Sequence, residues 1–142
     1  MPENIDIALL ISVFGVHKDN KIEGRTRIQK EICLLKFKSK LPFTFNYKPY
    51  YYGPYSEELS ETINTLVGVK LLKETIIPVG FNSFRYDYSL TEQGLQLFKK
   101  IKQNSSLKQL VSSLSKEAGE LERRETLDLV SLAKKISGIQ SI

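Results

Sequence analysis

Apolar residues in the first forty positions recur at the spacing of helices. A first run, ending near Val16, has apolar side chains on nearly every side, which is typical of a helix buried in a core. The polar, glycine-ended segment 17–24 is predicted to be a loop. A second helical pattern runs from Arg25 to Lys40, and Pro42 then disfavours helical geometry in the residue before it.

The pattern changes after the second helix. Residues 43–52 are aromatic at nearly alternating positions, which favours an extended segment. Ser56 follows a Gly-Pro turn and is a suitable cap for a third helix, which is predicted to end near Gly68. Strand-like runs at 69–79 and 84–90 flank a four-residue turn, so they predict a β-hairpin.

The last third of the chain is helical again. Thr91 is predicted to cap a fourth helix, and two more begin near Leu107 and Glu125. The predicted fold class is therefore mainly α with a small β-hairpin (α+β), in the form of a winged helix-turn-helix with a C-terminal helical extension. We place the winged-helix domain at residues 1–104 and the extension at 105–142.

Three short motifs resemble those of prokaryotic winged-helix proteins. They are Gly24-Arg25-Thr26-Arg27-Ile28-Gln29-Lys30, Tyr52-Gly53-Pro54-Tyr55-Ser56 and Tyr88-Ser89-Leu90-Thr91-Glu92-Gln93-Gly94. The last is similar to PadR-like and MarR-like regulators, and the first two resemble archaeal winged-helix proteins. The resemblance covers roughly residues 5–101. It implies a regulator, and for the PadR type it also implies a homodimer formed through C-terminal helices.

Positive charge is concentrated in one part of the chain. The net charge is +5, and eight basic against three acidic residues between Lys18 and Lys40 account for all of it. Such a patch indicates a partner with a negative surface, and double-stranded DNA is the first candidate. The alternative is a solvated basic face that has no partner.

The DNA-binding hypothesis assigns phosphate contacts to the second helix and groove contacts to the third helix and the hairpin. The candidate residues are Arg25, Arg27, Lys30, Lys36, Ser60, Asn64, Asn82 and Arg85. The third helix opens with Glu57, Glu58 and Glu61, which phosphate repels, and residues 41–54 replace the usual short turn before it. We therefore expect more phosphate contacts from the second helix. Alternatively, Arg25 pairs with a carboxylate such as Glu57.

A second hypothesis is a winged-helix module that binds a protein partner and does not touch DNA. Five of the seven tyrosines lie between positions 47 and 55, and Tyr50, Tyr51 and Tyr52 are the candidate contacts, unless they pack over helices. Three-and-four spacing in the fifth helix predicts pairing with another helix, either in a homodimer or folded back on the domain. Its candidate residues are Leu107, Leu110, Leu114 and Leu121.

Residues that carry catalysis are sparse. His17 is the only histidine and Cys33 the only cysteine, so we expect no metal site, no cysteine–histidine pair and no internal disulfide. We also expect no cofactor and no enzymatic activity. His17 is predicted to be exposed, and Cys33 to be packed in its helix. Because no apolar run is long enough to span a bilayer and the chain starts with acidic residues, we expect a cytoplasmic protein without membrane contact.

Overall fold

Helix α1 (Asn4–Val16) lies at the centre of the fold in the computed structural model, which describes residues 4–142. Its fully buried apolar side chains are those of Leu9, Leu10, Ile11, Val13 and Phe14. A side chain at Gly15 would overlap the ring of Phe98 on a later helix, so glycine allows the two helices to approach closely. The predicted buried core helix is confirmed.

A short strand follows α1 where the sequence predicted only a loop. After a 3₁₀ turn (Lys18–Asn20), β1 (Lys21–Glu23) pairs antiparallel with the last strand of the hairpin, and Ile22 lies opposite Tyr88. Both of these residues are buried. The loop prediction was wrong because a three-residue strand with two polar, exposed ends has no periodicity that identifies it.

Helix α2 (Arg25–Phe37) is shorter than predicted, since the backbone at Lys40 has already turned to a φ of 59°. The chain then runs extended, and it forms a two-stranded antiparallel ribbon from β2 (Lys48–Tyr50) and β3 (Gly53–Tyr55). Asp6 of α1 holds this segment, because its carboxylate accepts from the backbone N–H and the hydroxyl of Thr44. The predicted extended segment is thus found partly as strand.

Helix α3 (Glu57–Gly68) begins and ends where the sequence predicted. The Ser56 hydroxyl accepts from the Leu59 backbone N–H at 3.1 Å, which satisfies one of the free donors at the helix start. The hairpin follows as β4 (Leu72–Gly80) and β5 (Ser83–Leu90), so its prediction is also confirmed. Together with β1 the hairpin forms a three-stranded sheet in the order β1-β5-β4.

Three helices complete the chain. They are α4 (Glu92–Gln103), α5 (Lys108–Glu122) and α6 (Thr126–Ser137), and the Thr91 hydroxyl caps α4 by accepting from the Gly94 N–H at 3.0 Å. Helices α4 and α5 pack on α1, while α6 packs on α2. The α+β class is confirmed. No helix within the described range is both long and apolar enough to cross a membrane.

Candidate interaction surface

Arg25, the first residue of α2, connects that helix to α3 and to the hairpin. Its guanidinium donates to the hydroxyls of Tyr88 (2.6 Å) and Ser60 (2.9 Å) and to the side-chain oxygen of Asn64 (2.5 Å). The Tyr88 hydroxyl donates in turn to Glu74 at 2.5 Å, and burial together with this bond raises the pKa of Tyr88 to about 12. The Arg25 side chain therefore links α2, α3 and the hairpin. It pairs with Glu74 and not with Glu57.

Arg27 projects in another direction and binds the C-terminal helices. It donates to the Glu31 carboxylate at 2.8 Å, to the carbonyls of Leu121 and Glu122 at 3.0 and 3.1 Å, and to the Thr126 hydroxyl at 3.2 Å. The last three acceptors lie at the turn between α5 and α6. Arg27 therefore holds this turn against α2.

His17 is buried beside the same carboxylate, so the prediction of an exposed histidine was wrong. Its Nε2 lies 2.8 Å from Glu31 Oε1 and its Nδ1 lies 2.7 Å from the Val13 carbonyl oxygen. Both ring nitrogens face acceptors, which favours the doubly protonated ring. Burial lowers the pKa of His17, but the hydrogen bond and charge of Glu31 outweigh that effect, and the net pKa is raised.

Lys30 and Lys36 are also used inside the fold. The Lys30 ammonium is buried and donates to the Pro54 carbonyl at 2.9 Å, and burial lowers the pKa of this lysine to about 8. Lys36 donates to the Phe45 carbonyl. Both lysines bind the segment between α2 and α3 to α2. Because the Lys30 ammonium is buried, a phosphate group cannot reach it.

The three sequence motifs meet in space. The buried Gln29 amide donates to the Ser56 carbonyl and accepts from the Ser56 N–H, both at 2.8 Å. With the bonds from Lys30 to Pro54 and from Arg25 to Tyr88, each motif contacts another through a polar side chain. A polar group buried without such partners would destabilise the fold, so these residue types have a structural reason to occur together.

Helix α3 presents a polar, partly acidic face to solvent. Glu57, Glu61 and Asn64 are exposed, and Ser60 is half-buried beside Arg25. Glu57 pairs with Lys48. The structure thus joins three predicted DNA contacts, Arg25, Ser60 and Asn64, in one hydrogen-bonded cluster, where each guanidinium nitrogen of Arg25 donates one hydrogen bond to a protein acceptor.

Large apolar side chains are exposed along the hairpin, a feature that the sequence reasoning missed. Phe81 at the turn is 94% exposed, and the others that are mostly or partly open to solvent are Ile76, Val79, Phe84 and Tyr86. Ile76 lies opposite Tyr86 and Pro78 opposite Phe84. The body of the protein covers only the end of β5 that carries Tyr88 and Leu90.

Three of these side chains, those of Ile76, Phe84 and Tyr86, continue the surface on which Arg25 meets Tyr88. Directly paired residues of an antiparallel sheet share one face, and alternate pairs along the hairpin lie on that face. The pairs Glu74–Tyr88, Ile76–Tyr86 and Pro78–Phe84 therefore lie in a row that begins at α3. We define the α3–hairpin face by Glu57, Ser60, Glu61 and Asn64 of α3 and by Ile76, Pro78, Phe81, Phe84 and Tyr86 of the hairpin.

The other two predicted DNA contacts on the hairpin lie apart from each other. Asn82 is exposed at the turn beside Phe81, with a left-handed φ of 55°. Arg85 lies on the opposite face of the sheet, where it binds Asp87 through two bonds of 2.7 and 2.9 Å and lies 3.4 Å from Glu23. The hairpin therefore presents its row of exposed apolar side chains on one face, whereas the other face carries a paired arginine opposite Ile77.

The tyrosine cluster forms a separate patch. Tyr50, Tyr51 and Tyr52 are exposed around the turn of the β2–β3 ribbon, and Tyr50 packs between the rings of Tyr51 and Tyr55 at centroid distances of 4.7 and 4.4 Å. Strand β3 packs on α2 and α6. The patch therefore lies near α6.

The apolar stripe of α5 is covered within the chain. Leu114 and Leu121 are fully buried, and Leu107 and Leu110 are half-buried against the same core. Of the two arrangements that the spacing left open, folding back on the domain is the one present. The side chains of Leu114 and Leu121 leave no surface for a second copy.

Catalytic groups are not gathered into a centre in the described part of the chain. No cluster of three or more histidine, cysteine, aspartate or glutamate residues with metal-binding geometry occurs among residues 4–142. Cys33 is packed as predicted, and burial raises the pKa of its thiol to about 12, so the thiolate is scarce at neutral pH.

Comparison with known proteins finds a similar bacterial protein. No protein-family model matches the chain. The uncharacterized protein YwgA of Bacillus subtilis (strain 168) is 41% identical over 87 residues, which are 61% of this chain and 50% of that protein. The chain spans about half the length of this relative. Because that protein is uncharacterized, the similarity assigns no function to this chain.

Proposed function

We propose that this chain is a winged-helix module that binds a protein partner through its α3–hairpin face. The order of elements, α1, β1, α2, α3, β4 and β5, together with the sheet order β1-β5-β4, supports the winged-helix assignment. In that arrangement the third helix and the hairpin are the parts that engage partners. The short ribbon β2–β3 is then an insertion before the third helix.

The exposed apolar row on the hairpin is the observation that carries this proposal. Single exposed apolar residues are common on protein surfaces, but a contiguous group marks an interaction site. Burying apolar surface contributes roughly 25 cal/mol per Å². Phe81, Phe84 and Ile76 are each more than half exposed, so a partner that covered them would gain from each.

The charges on the face favour a protein over a nucleic acid. Glu57, Glu61 and Glu74 are carboxylates on or beside the face, and the donors of Arg25 are directed at protein acceptors. Phosphate groups would meet repulsion there. The chemistry fits a partner segment with aliphatic or aromatic side chains flanked by lysine or arginine.

A selection from a displayed peptide library on the immobilised protein tests the proposal. We expect enriched peptides that combine apolar with basic residues, and we expect their binding to be lost in the double variant Phe81→Ser/Phe84→Ser. The matched control is Tyr51→Ser/Tyr52→Ser, which also removes two exposed aromatic rings but in the tyrosine patch. Peptides that bind the hairpin variant as well as the unaltered protein would refute the assignment, and loss in the control alone would move the site to that patch.

DNA binding is a second candidate, supported by one feature of the same face. The side chains of Ser60 and Asn64 are polar groups on α3, and Phe81 and Asn82 stand at the hairpin tip, where an apolar wedge beside a polar group suits a minor groove. A homodimeric regulator of the kind that the resemblance implies would use this surface twice.

Fluorescence anisotropy with a mixed-sequence duplex decides between the two candidates. DNA binding predicts a dissociation constant of roughly 10⁻⁴–10⁻⁶ M for such a duplex at physiological salt, a strong salt dependence, and weakening in Asn64→Ala and Phe81→Ser. Sedimentation velocity in the same buffer reports whether a homodimer forms. Absence of duplex binding at low salt would remove the DNA candidate and leave the protein partner.

A further inference from the structure

A polar cleft lies on the side of the molecule opposite to the α3–hairpin face. Its walls are the 3₁₀ turn with β1, the outer face of β5 at Arg85, and the turn between α5 and α6. Its volume is about 620 Å³, which falls in the range of small-molecule binding sites. Neither the proposed function nor the sequence motifs account for this cleft.

Positive charge dominates its lining. Apart from the buried His17, the basic residues are Lys18, Lys21, Arg27, Arg85, Arg123 and Arg124, and the acidic ones are Asp19, Glu23, Glu122 and Glu125. Glu23 is shared by Lys21 at 3.1 Å and Arg85 at 3.4 Å, and Glu122 accepts the Lys18 backbone N–H at 2.8 Å. Two of the four carboxylates are therefore already engaged.

Besides Lys18, the lining cations that remain available are Arg123 and Arg124. They are adjacent at the α5–α6 turn, both line the cleft, and neither makes an ion pair with any residue in the range 4–142. A guanidinium presents paired donors that match the oxygens of a phosphate group. Two neighbouring unpaired guanidiniums in a cleft are suited to an anion with more than one phosphate.

The turn that carries these arginines is held in place by Arg27 of α2. Arg27 donates to the carbonyls of Leu121 and Glu122 and to the Thr126 hydroxyl, so three bonds from α2 fix the turn on both sides of the arginine pair. A site on a fixed turn loses less conformational entropy when a ligand binds. The hydrogen bonds of the half-buried Arg27 thus have a consequence for binding as well as for folding.

The lining also limits the ligand. Ile22 is the one apolar residue among the thirteen that line the cleft, and none of the thirteen is a phenylalanine, tyrosine or tryptophan. The ring of His17, which also lines it, is buried and bonded to Glu31. A ligand with a large ring system would find no surface to stack on. We infer that the cleft binds a small, polar, non-aromatic polyanion with two or more phosphate groups, such as a polyphosphate or a sugar bisphosphate.

Isothermal titration calorimetry of the full chain tests this site, with tripolyphosphate and fructose 1,6-bisphosphate as separate probes and sodium chloride keeping ionic strength constant. We expect saturable binding of at least one probe, weakened about tenfold or more in Arg123→Gln/Arg124→Gln, because two charge-assisted contacts are lost. The matched control Lys99→Gln/Lys100→Gln removes the same charge from exposed positions of α4, outside the cleft. Its affinity should equal that of the unaltered protein.

Two outcomes would overturn the site. One is the absence of saturable binding for both probes, and the other is equal weakening in the two double variants, which would indicate general attraction to the net positive charge. Amide chemical shifts of the unaltered protein give an independent measurement. Titration should shift the resonances of residues 18–23 and 123–126, and shifts centred elsewhere would contradict the assignment whatever the calorimetry shows.

Discussion

Arg25 and Arg27 are two residues apart on α2, yet they serve different parts of the fold. Successive helical residues are about 100° apart, so positions 25 and 27 point to nearly opposite sides. Arg25 reaches α3 and the hairpin, whereas Arg27 reaches the α5–α6 turn. The planar fork of arginine lets each bind several acceptors at once, which lysine cannot reproduce.

His17 makes the stability of the fold depend on pH. Its pKa is raised above 6.5 in the folded state, so the folded protein holds this proton more tightly than the unfolded chain does. The stabilisation is therefore fully present below pH 6.5 and is lost as the pH rises through the folded pKa. We expect His17→Gln to lower the free energy of unfolding by about 1–3 kcal/mol at about pH 6, with a smaller difference at about pH 9.

Urea unfolding of both proteins across this pH range measures the effect. The comparison has to be a difference between variant and unaltered protein, because Lys30 titrates in the opposite direction. The pKa of Lys30 is lowered to about 8, so the loss of its proton makes the fold more stable as the pH increases above that value. This effect is the same in both proteins and cancels in the difference. A difference that stays constant with pH would show that the neutral imidazole stabilises the fold equally well.

Gly94 is required for the close approach of α4 to the start of the hairpin. A Cβ atom there would lie 2.3 Å from the Leu71 carbonyl oxygen and 3.0 Å from a methyl group of Leu90. We expect Gly94→Ala to destabilise the protein by about 1–3 kcal/mol through this overlap.

Gly119 provides the matched control, because it lies inside α5 with nothing within 4 Å of the same position. Gly119→Ala should stabilise the protein by up to about 1 kcal/mol, since alanine loses less backbone entropy in a helix. Thermal unfolding of the two variants under identical conditions gives the comparison. Equal changes in both would contradict the packing argument.

At the scale of elements, sequence patterns within a few residues, such as helix caps, predicted the helices well. Ser56 and Thr91 cap the helices that they were expected to cap, because capping depends on residues three positions apart. Strand β1 was missed because what defines it is its pairing with β5, across more than sixty residues of sequence. The exposure of the hairpin tip was missed for a similar reason. Alternation identifies a strand but not what covers each face.

The contact between α2 and the start of α3 depends on the buried side-chain amide of Gln29. Gln29→Ala would leave the Ser56 N–H and carbonyl without their partner inside the protein, so we expect a loss of about 2–4 kcal/mol in the free energy of unfolding. Gln96→Ala, at an exposed position of α4, should change it by no more than about 0.5 kcal/mol. Chemical denaturation measures both, and a similar small change in the two would refute this role for Gln29.

At the scale of the whole molecule, the C-terminal helices are part of one core. Helix α5 packs on α1 and α6 packs on α2, and Leu114, Ala118, Leu129 and Ala133 are fully buried between them. We therefore expect a chain that ends at residue 104 to expose this core and to lose cooperative unfolding. Circular dichroism during heating, together with dye binding to exposed apolar surface, measures the outcome.

A chain that ends at residue 140 is the matched control. It loses only the short contact of Ser141 and Ile142 with Tyr50 and should unfold cooperatively. If the chain that ends at residue 104 also unfolded cooperatively, residues 1–104 would be an independent domain, as the sequence predicts.

The sequence by itself determined the helices, their caps, the hairpin and the buried character of α1, because each depends on residues close together in the chain. Tertiary structure decided how the positive charges are used. The sequence shows that Arg27 and Lys30 are cations on one helix, but whether each meets solvent or a carbonyl depends on where the α5–α6 turn and Pro54 lie. Contacts between residues far apart in the sequence place Arg27 and Lys30, which were predicted to bind phosphate, as hydrogen-bond donors within the fold. The tertiary structure also left the apolar side of the hairpin exposed, because no other element among residues 4–142 packs over it.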